Sequence, residues 1–106
     1  MSVAATEELS EAEFMQMVST VCAADASLTP LGAALIVALH TGIARDTRTF
    51  ARKLGIEHAL VLREVSSLSD AGLVAVTARN ARTQRTELAL TSAAEPVLYS
   101  VAKVHK

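Results

Sequence analysis

Residues 47–74 read "TRTFARKLGIEHALVLREVSSLSDAGLV", and this stretch decides the fold. Phe50, Ala51 and Leu54 fall on one side of a helix that Asp46 or Thr47 caps. Gly55 stands where a glycine often follows the last helical turn. A second helix opens almost at once, with Val61, Val65 and Leu68 at i, i+4 and i+7 and Gly72 at its end. Two helices joined so tightly are the pattern of a helix-turn-helix. Beyond Gly72, "LVAVTA" and "RTELALT" alternate, Val74 with Val76 and Leu88 with Leu90, which predicts two strands. A hairpin directly after the second helix of such a pair is a wing. The second helix is expected over about 57–71 and the wing over about 74–91.

Outward from this centre the pattern stays helical. "SEAE" has the form of a capping box from Ser10 to Glu13, and Phe14, Val18, Val21 and Cys22 follow at helical spacing with Met17 beside them. "DASLTP" breaks that helix, with Thr29 as the next cap and Pro30 at the first helical position. "PLGAALIVALH" places Leu31, Leu35, Ala38 and Leu39 on one stripe, with Ile36 and Val37 outside it. A helix apolar nearly all round belongs at the buried centre. "TGIARD" is a short connection with room for a strand residue or two, and Val97, Val101 and Val104 form a closing helical stripe. The expected fold is mostly α with a small β-hairpin: a winged helix-turn-helix with flanking N- and C-terminal helices. It forms one domain over residues 1–106, with 1–9 a flexible lead-in.

Composition narrows the function classes. Hydrophobic residues make up 51% of the chain and aromatic ones 3%, so the core must be built from Ala, Leu and Val. A single cysteine excludes an intrachain disulfide and fits a reducing compartment. "STVCAAD" gives Cys22 no basic neighbour, so a buried core thiol is expected. The acidic start "MSVAATEELSEAEF" is unlike a secretory signal, and no apolar run is long enough for a bilayer span. The expectation is a cytoplasmic protein with no membrane partner. His40, His58 and His105 share no ligand spacing with Cys22, and no nucleophile elbow, Gly-rich phosphate loop, HExxH or CxxC occurs. No metal, no cofactor and no enzyme activity are expected, and the sequence names no small-molecule effector.

The net charge of −1 hides a segregation. Residues 1–44 carry −5, residues 45–85 carry +4, and residues 86–106 carry 0. "RNARTQR", residues 79–85, places three arginines at the tip of the expected hairpin. Such a distribution suits a polyanionic partner for the middle third.

Residues 46–94 resemble the winged helix-turn-helix of MarR-type transcription regulators. The resemblance is carried by "FARKLGI", "VLREVSSLSDAGLV" and "LALTSAA". Leu68, Gly72, Leu73 and Val74 fit the "LxxxGLV" end of that family's recognition helix, Leu90 and Thr91 its "LT", and Arg85 its wing arginine. Where the family wing usually reads Asp-Arg-Arg this chain has Thr83-Gln84-Arg85, and Ala94 and Glu57 replace a usual glycine and serine. The resemblance implies a homodimer on double-stranded DNA that regulates transcription.

The second helix would then present His58, Ala59, Leu60, Leu62 and Arg63 to a major groove, with Ser66 and Ser67 further along. Arg63 suits guanine, and Leu60 suits a thymine methyl. Arg79, Arg82 and Arg85 would follow a phosphate backbone or enter a minor groove, and Arg48, Arg52 and Lys53 would add phosphate contacts. Six such contacts give a log–log salt slope of roughly −5. Glu57 and Glu64 oppose a polyanion unless turned away. Phe14, Val18, Val21, Val97, Leu98 and Val101 are the expected dimer surface. The alternative is a winged helix that binds another protein, as an adaptor or antagonist of a regulator, through the Leu60–Leu62 edge and the two acids.

Overall fold

A computed structural model of the chain describes residues 9–105, apart from the side chains of Ser100 and of 102–105. The order is α1 (Glu11–Ala24), α2 (Pro30–Thr41), α3 (Thr47–Leu54), α4 (His58–Asp70), β1 (Val74–Arg79), β2 (Thr86–Leu90), a 3₁₀ turn (Ser92–Ala94) and α5 (Glu95–His105). The described residues are mostly helical with one two-stranded antiparallel hairpin. The lead-in expected over 1–9 lies outside the described residues except for Leu9, which packs against the core. The side chain of Val104 lies outside them too.

Local chemistry sets the helix ends. Ser10 and Glu13 close a reciprocal capping box at the start of α1. The Gly32 N–H donates to the Thr29 hydroxyl, and Pro30 opens α2. The Thr49 N–H donates to Asp46 Oδ1 at 2.8 Å, which settles the cap of α3 on Asp46. Gly55 and Gly72 adopt the left-handed conformation, with φ of 66° and 81°. Past each, the next N–H reaches back five residues, Ile56 to the Ala51 carbonyl and Leu73 to that of Leu68. This bond satisfies a carbonyl the helix leaves free and turns the chain sharply.

α2 is the centre of the core. Every residue from Gly32 to Ala38 is buried. The expected stripe is displaced, because Leu31 and Leu39 at the ends are only partly covered while Ile36 and Val37 are fully enclosed. With neighbours all round it, no one stripe of α2 defines the inside. α1 packs on α2 and on α5, and α4 and β2 also touch α2. Phe14, Val18, Val21, Val97 and Val101, expected at a dimer surface, are instead buried inside the single chain. The stripe of α1 is used against α2, and that of α5 within the same core where α5 packs on α1. Cys22 is half-buried against that core rather than enclosed by it.

In the hairpin, Val74 pairs with Leu90 and Val76 with Leu88. A bulge between Val76 and Ala78 interrupts the alternation. Val74 and Leu88 are buried as expected, but Val76, although paired with the buried Leu88, is 40% exposed and lines an open groove beside α4. Asp46 forms an isolated bridge to Glu87, so the chain before α3 supplies the strand-like residue expected of "TGIARD". No helix among the described residues is long and apolar enough to cross a membrane.

Candidate nucleic-acid interface

Three successive residues at the start of α3 hold the hairpin. Asp46 Oδ2 pairs with Arg85 Nη2 at 3.1 Å while accepting the Thr49 hydroxyl at 2.9 Å. The Thr47 hydroxyl accepts the Thr86 N–H at 3.1 Å. The Arg48 guanidinium donates to the Thr83 carbonyl from Nη2 at 2.7 Å and from Nε at 3.3 Å. α3 and the hairpin therefore form one body.

His58 completes the junction from the first turn of α4. Its Nε2 lies 2.7 Å from the Thr47 hydroxyl. That hydroxyl is buried, already accepts the Thr86 N–H, and has one proton to give. In the neutral ring protonated on Nδ1, Nε2 accepts that proton. Burial, and then the Arg48 charge, hold the His58 pKa below its ordinary value, with Asp46 pulling the other way. Asp46 titrates below the usual carboxylate range: burial works against this, but hydrogen bonds from Thr49 and the Arg85 charge outweigh it.

The tip is shaped by its own polar side chains. Asn80 Oδ1 accepts the N–H groups of Arg82 and Thr83, at 2.9 and 3.1 Å. The Gln84 N–H closes the turn on the Asn80 carbonyl at 2.7 Å. Gln84 has a φ of 66°, a left-handed conformation unusual outside glycine, and its side-chain amide donates to the Ala81 carbonyl. The tip is thus a formed turn that presents Arg82 outward.

The expected site residues divide into two groups. Arg48 and Arg85 are exposed but engaged with Thr83 and Asp46, and Lys53 Nζ donates to the Ile43 carbonyl at 2.8 Å. His58 is turned into the junction, which corrects its expected place on the outer face. Leu62 is half-buried at the rim of a groove of about 220 Å³ between α4 and the hairpin, with Ser66, Val76, Arg79 and Gln84. Ala59, Leu60, Arg63, Ser66 and Ser67 are exposed on α4 away from its buried stripe of Val61, Val65 and Leu68. Arg52, Arg79 and Arg82 are exposed as well. Arg48, Arg52 and His58 line one shallow depression of about 540 Å³ together with Glu57.

Asp46 and Thr47 as hairpin anchors, and Asn80 as organiser of the tip, are additions to the expected set. Asn80 carried a signal, since asparagine at a turn readily bonds the backbone two residues on. Nothing in the sequence pairs Asp46 with Arg85. Glu64 lies against the first turn of α2, away from the outer face. Chemically, the region offers exposed guanidinium groups on a rigid support, suited to anionic oxygens and to base edges. Comparison with family models found no match, and comparisons with curated proteins and with solved structures found none.

Proposed function

We propose that this chain is a winged helix-turn-helix protein of the MarR type that binds double-stranded DNA as a homodimer and regulates transcription. α3 and α4 are the helix pair, α4 enters the major groove, and the β1–β2 hairpin is the wing. One observation carries this reading most. The guanidinium groups of Arg52, Arg63, Arg79 and Arg82 are exposed with no hydrogen bond to other described residues, while Arg48 and Arg85 fix the support that displays them. Arg63, with Leu60 one turn earlier, is placed to read bases. The other three serve phosphates.

This sorting changes the expected salt dependence. With Arg48, Lys53 and Arg85 engaged inside the protein, three phosphate contacts remain, for a slope of roughly −3 rather than −5. A second copy would meet this one through residues other than the buried stripes. Met15 on α1, 54% exposed, and Tyr99 on α5, 67% exposed, are the large apolar side chains those helices leave outside.

The runner-up, a module that binds a protein, is favoured by the exposure of Leu60 and Val76, at 44% and 40%. Fluorescence anisotropy with sheared genomic duplex across a salt series separates the two. Steeply salt-dependent binding whose slope falls in Arg79→Ala/Arg82→Ala supports the DNA reading. No binding at low salt sinks it and turns the search to protein partners.

A further inference from the structure

Gly32 lies in the first turn of α2, buried and in ordinary helical backbone. Apart from proline, glycine is the poorest helix former, so its own backbone gives no reason for it here. The reason lies across the interface. An ideal Cβ on Gly32 would stand 2.7 Å from Glu64 Oε2 and 3.4 Å from Glu64 Cδ. The carboxylate of α4 therefore occupies the volume that any side chain at position 32 would need. The first turn of a helix also favours a negative charge beside it.

Helix geometry shows what this seat prevents. At 3.6 residues per turn, Glu64 stands on the flank of α4 between the buried stripe and the exposed pair Leu60 and Ser67. Displaced from Gly32, its carboxylate has only that exposed face to turn to. There it would sit beside Leu60 and Ser67, on the surface read above as the groove-facing one.

We propose that Gly32 and Glu64 are a positioning pair: the missing side chain at 32 stores the Glu64 charge against α2 and keeps it off the DNA-facing side of α4. This rests on the DNA reading for its consequence, but the seat itself does not depend on DNA. The displaced group is the far end of a flexible side chain, so Gly32→Ala is accommodated by swinging the carboxylate out, with Thr29 Oγ1, 3.3 Å from the new methyl, yielding slightly.

The test compares wild type, Gly32→Ala, Glu64→Gln and Gly32→Ala/Glu64→Gln, by anisotropy with a labelled duplex at low salt and by thermal unfolding. Gly32→Ala is expected to bind about fivefold more weakly without a lower Tm, the cost of a like charge beside the phosphates. Glu64→Gln alone should bind as wild type does, and the double variant should recover to within about twofold, because the neutral amide no longer repels. Wild-type affinity in Gly32→Ala, or a double variant as weak as Gly32→Ala, would overturn the pair. If wild type binds no duplex, the DNA reading fails and the Tm values decide the seat alone. Glu64→Gln must then shift Tm in wild type but not in the Gly32→Ala background, and shifts that simply add would overturn it.

Discussion

The two ends of this molecule are held together by different forces. Around α2, the layer of α1, α2 and α5 closes by apolar burial, and the side-chain hydrogen bonds there are local, such as Ser10 with Glu13, Thr29 with Gly32 and Thr41 with Val37. At the junction of α3 with the hairpin, polar side chains join residues 35 and 39 positions apart. The first region should ignore salt and pH. The second should respond to both, because its bonds depend on charge and on a proton. A polar half that answers to solution conditions is thus carried on an apolar half that does not.

The comparison breaks most visibly at Leu35, which is 1% exposed within α2. Leu35→Ala should cost about 2–5 kcal/mol in urea unfolding, and the loss should be the same at low and high salt. A loss that varies with salt would mean the two halves are not separable in this way.

Thr47 is the next step down. Thr47→Val keeps the shape but leaves the Thr86 N–H and the His58 ring without their shared hydroxyl in a buried place. About 1–3 kcal/mol is expected, and Thr47→Ser should recover most of it. Amide exchange should quicken at Thr86 while α2 stays protected. Uniform quickening would show that the hairpin does not open separately.

How much of this was legible in the sequence follows the same division. Apolar periodicity and glycine punctuation are local signals, and they placed α1 to α4 and both strands. Ser10, Thr29 and Gly55 sit where their chemistry put them. The stripe on α2 was misplaced because a helix buried all round has no preferred face for periodicity to find. Alternation places Val76 inside because it says which residues share a face, but not which of them the helices cover: Leu88 is covered, while Val76 opposite it borders an open groove. The candidate site was half legible. Exposure of Arg52, Arg63, Arg79 and Arg82 follows from their charge, whereas the capture of Arg48 by Thr83 and of Arg85 by Asp46 depends on contacts made only after folding.

Arg85→Ala tests the exposed edge of the polar region. The pair with Asp46 is 53% exposed on the arginine side, so water screens it and the loss should be about 0.2–1 kcal/mol. It should shrink toward zero in about 1 M salt. Asp46 keeps its bonds to Thr49, so its capping of α3 should persist. The lowered Asp46 pKa also sets a sign: its contribution is present above 3.8 and is lost as pH falls through the folded-state value. In Arg85→Ala that acid loss should be smaller than in wild type.

The finest distinction concerns the proton on His58. Its folded-state pKa lies below 6.5, so the unfolded chain takes up a proton that the folded chain refuses. The stabilisation is complete above 6.5 and drains as pH falls from there to the folded-state value, below which the slope from this group ends. A protonated ring cannot accept the Thr47 hydroxyl, and it would sit beside Arg48. The slope should therefore be confined to the hairpin junction. Thermal unfolding from about pH 7.5 to 5 should show a slope in wild type that flattens in His58→Gln, where no ring titrates. Amide exchange over the same range should quicken at Thr86 and Arg85 but not across α2. An unchanged slope in His58→Gln would place the titrating group elsewhere. A slope shared by α2 would mean that the polar junction and the apolar core open as one unit, and that the contrast between them concerns chemistry and not stability.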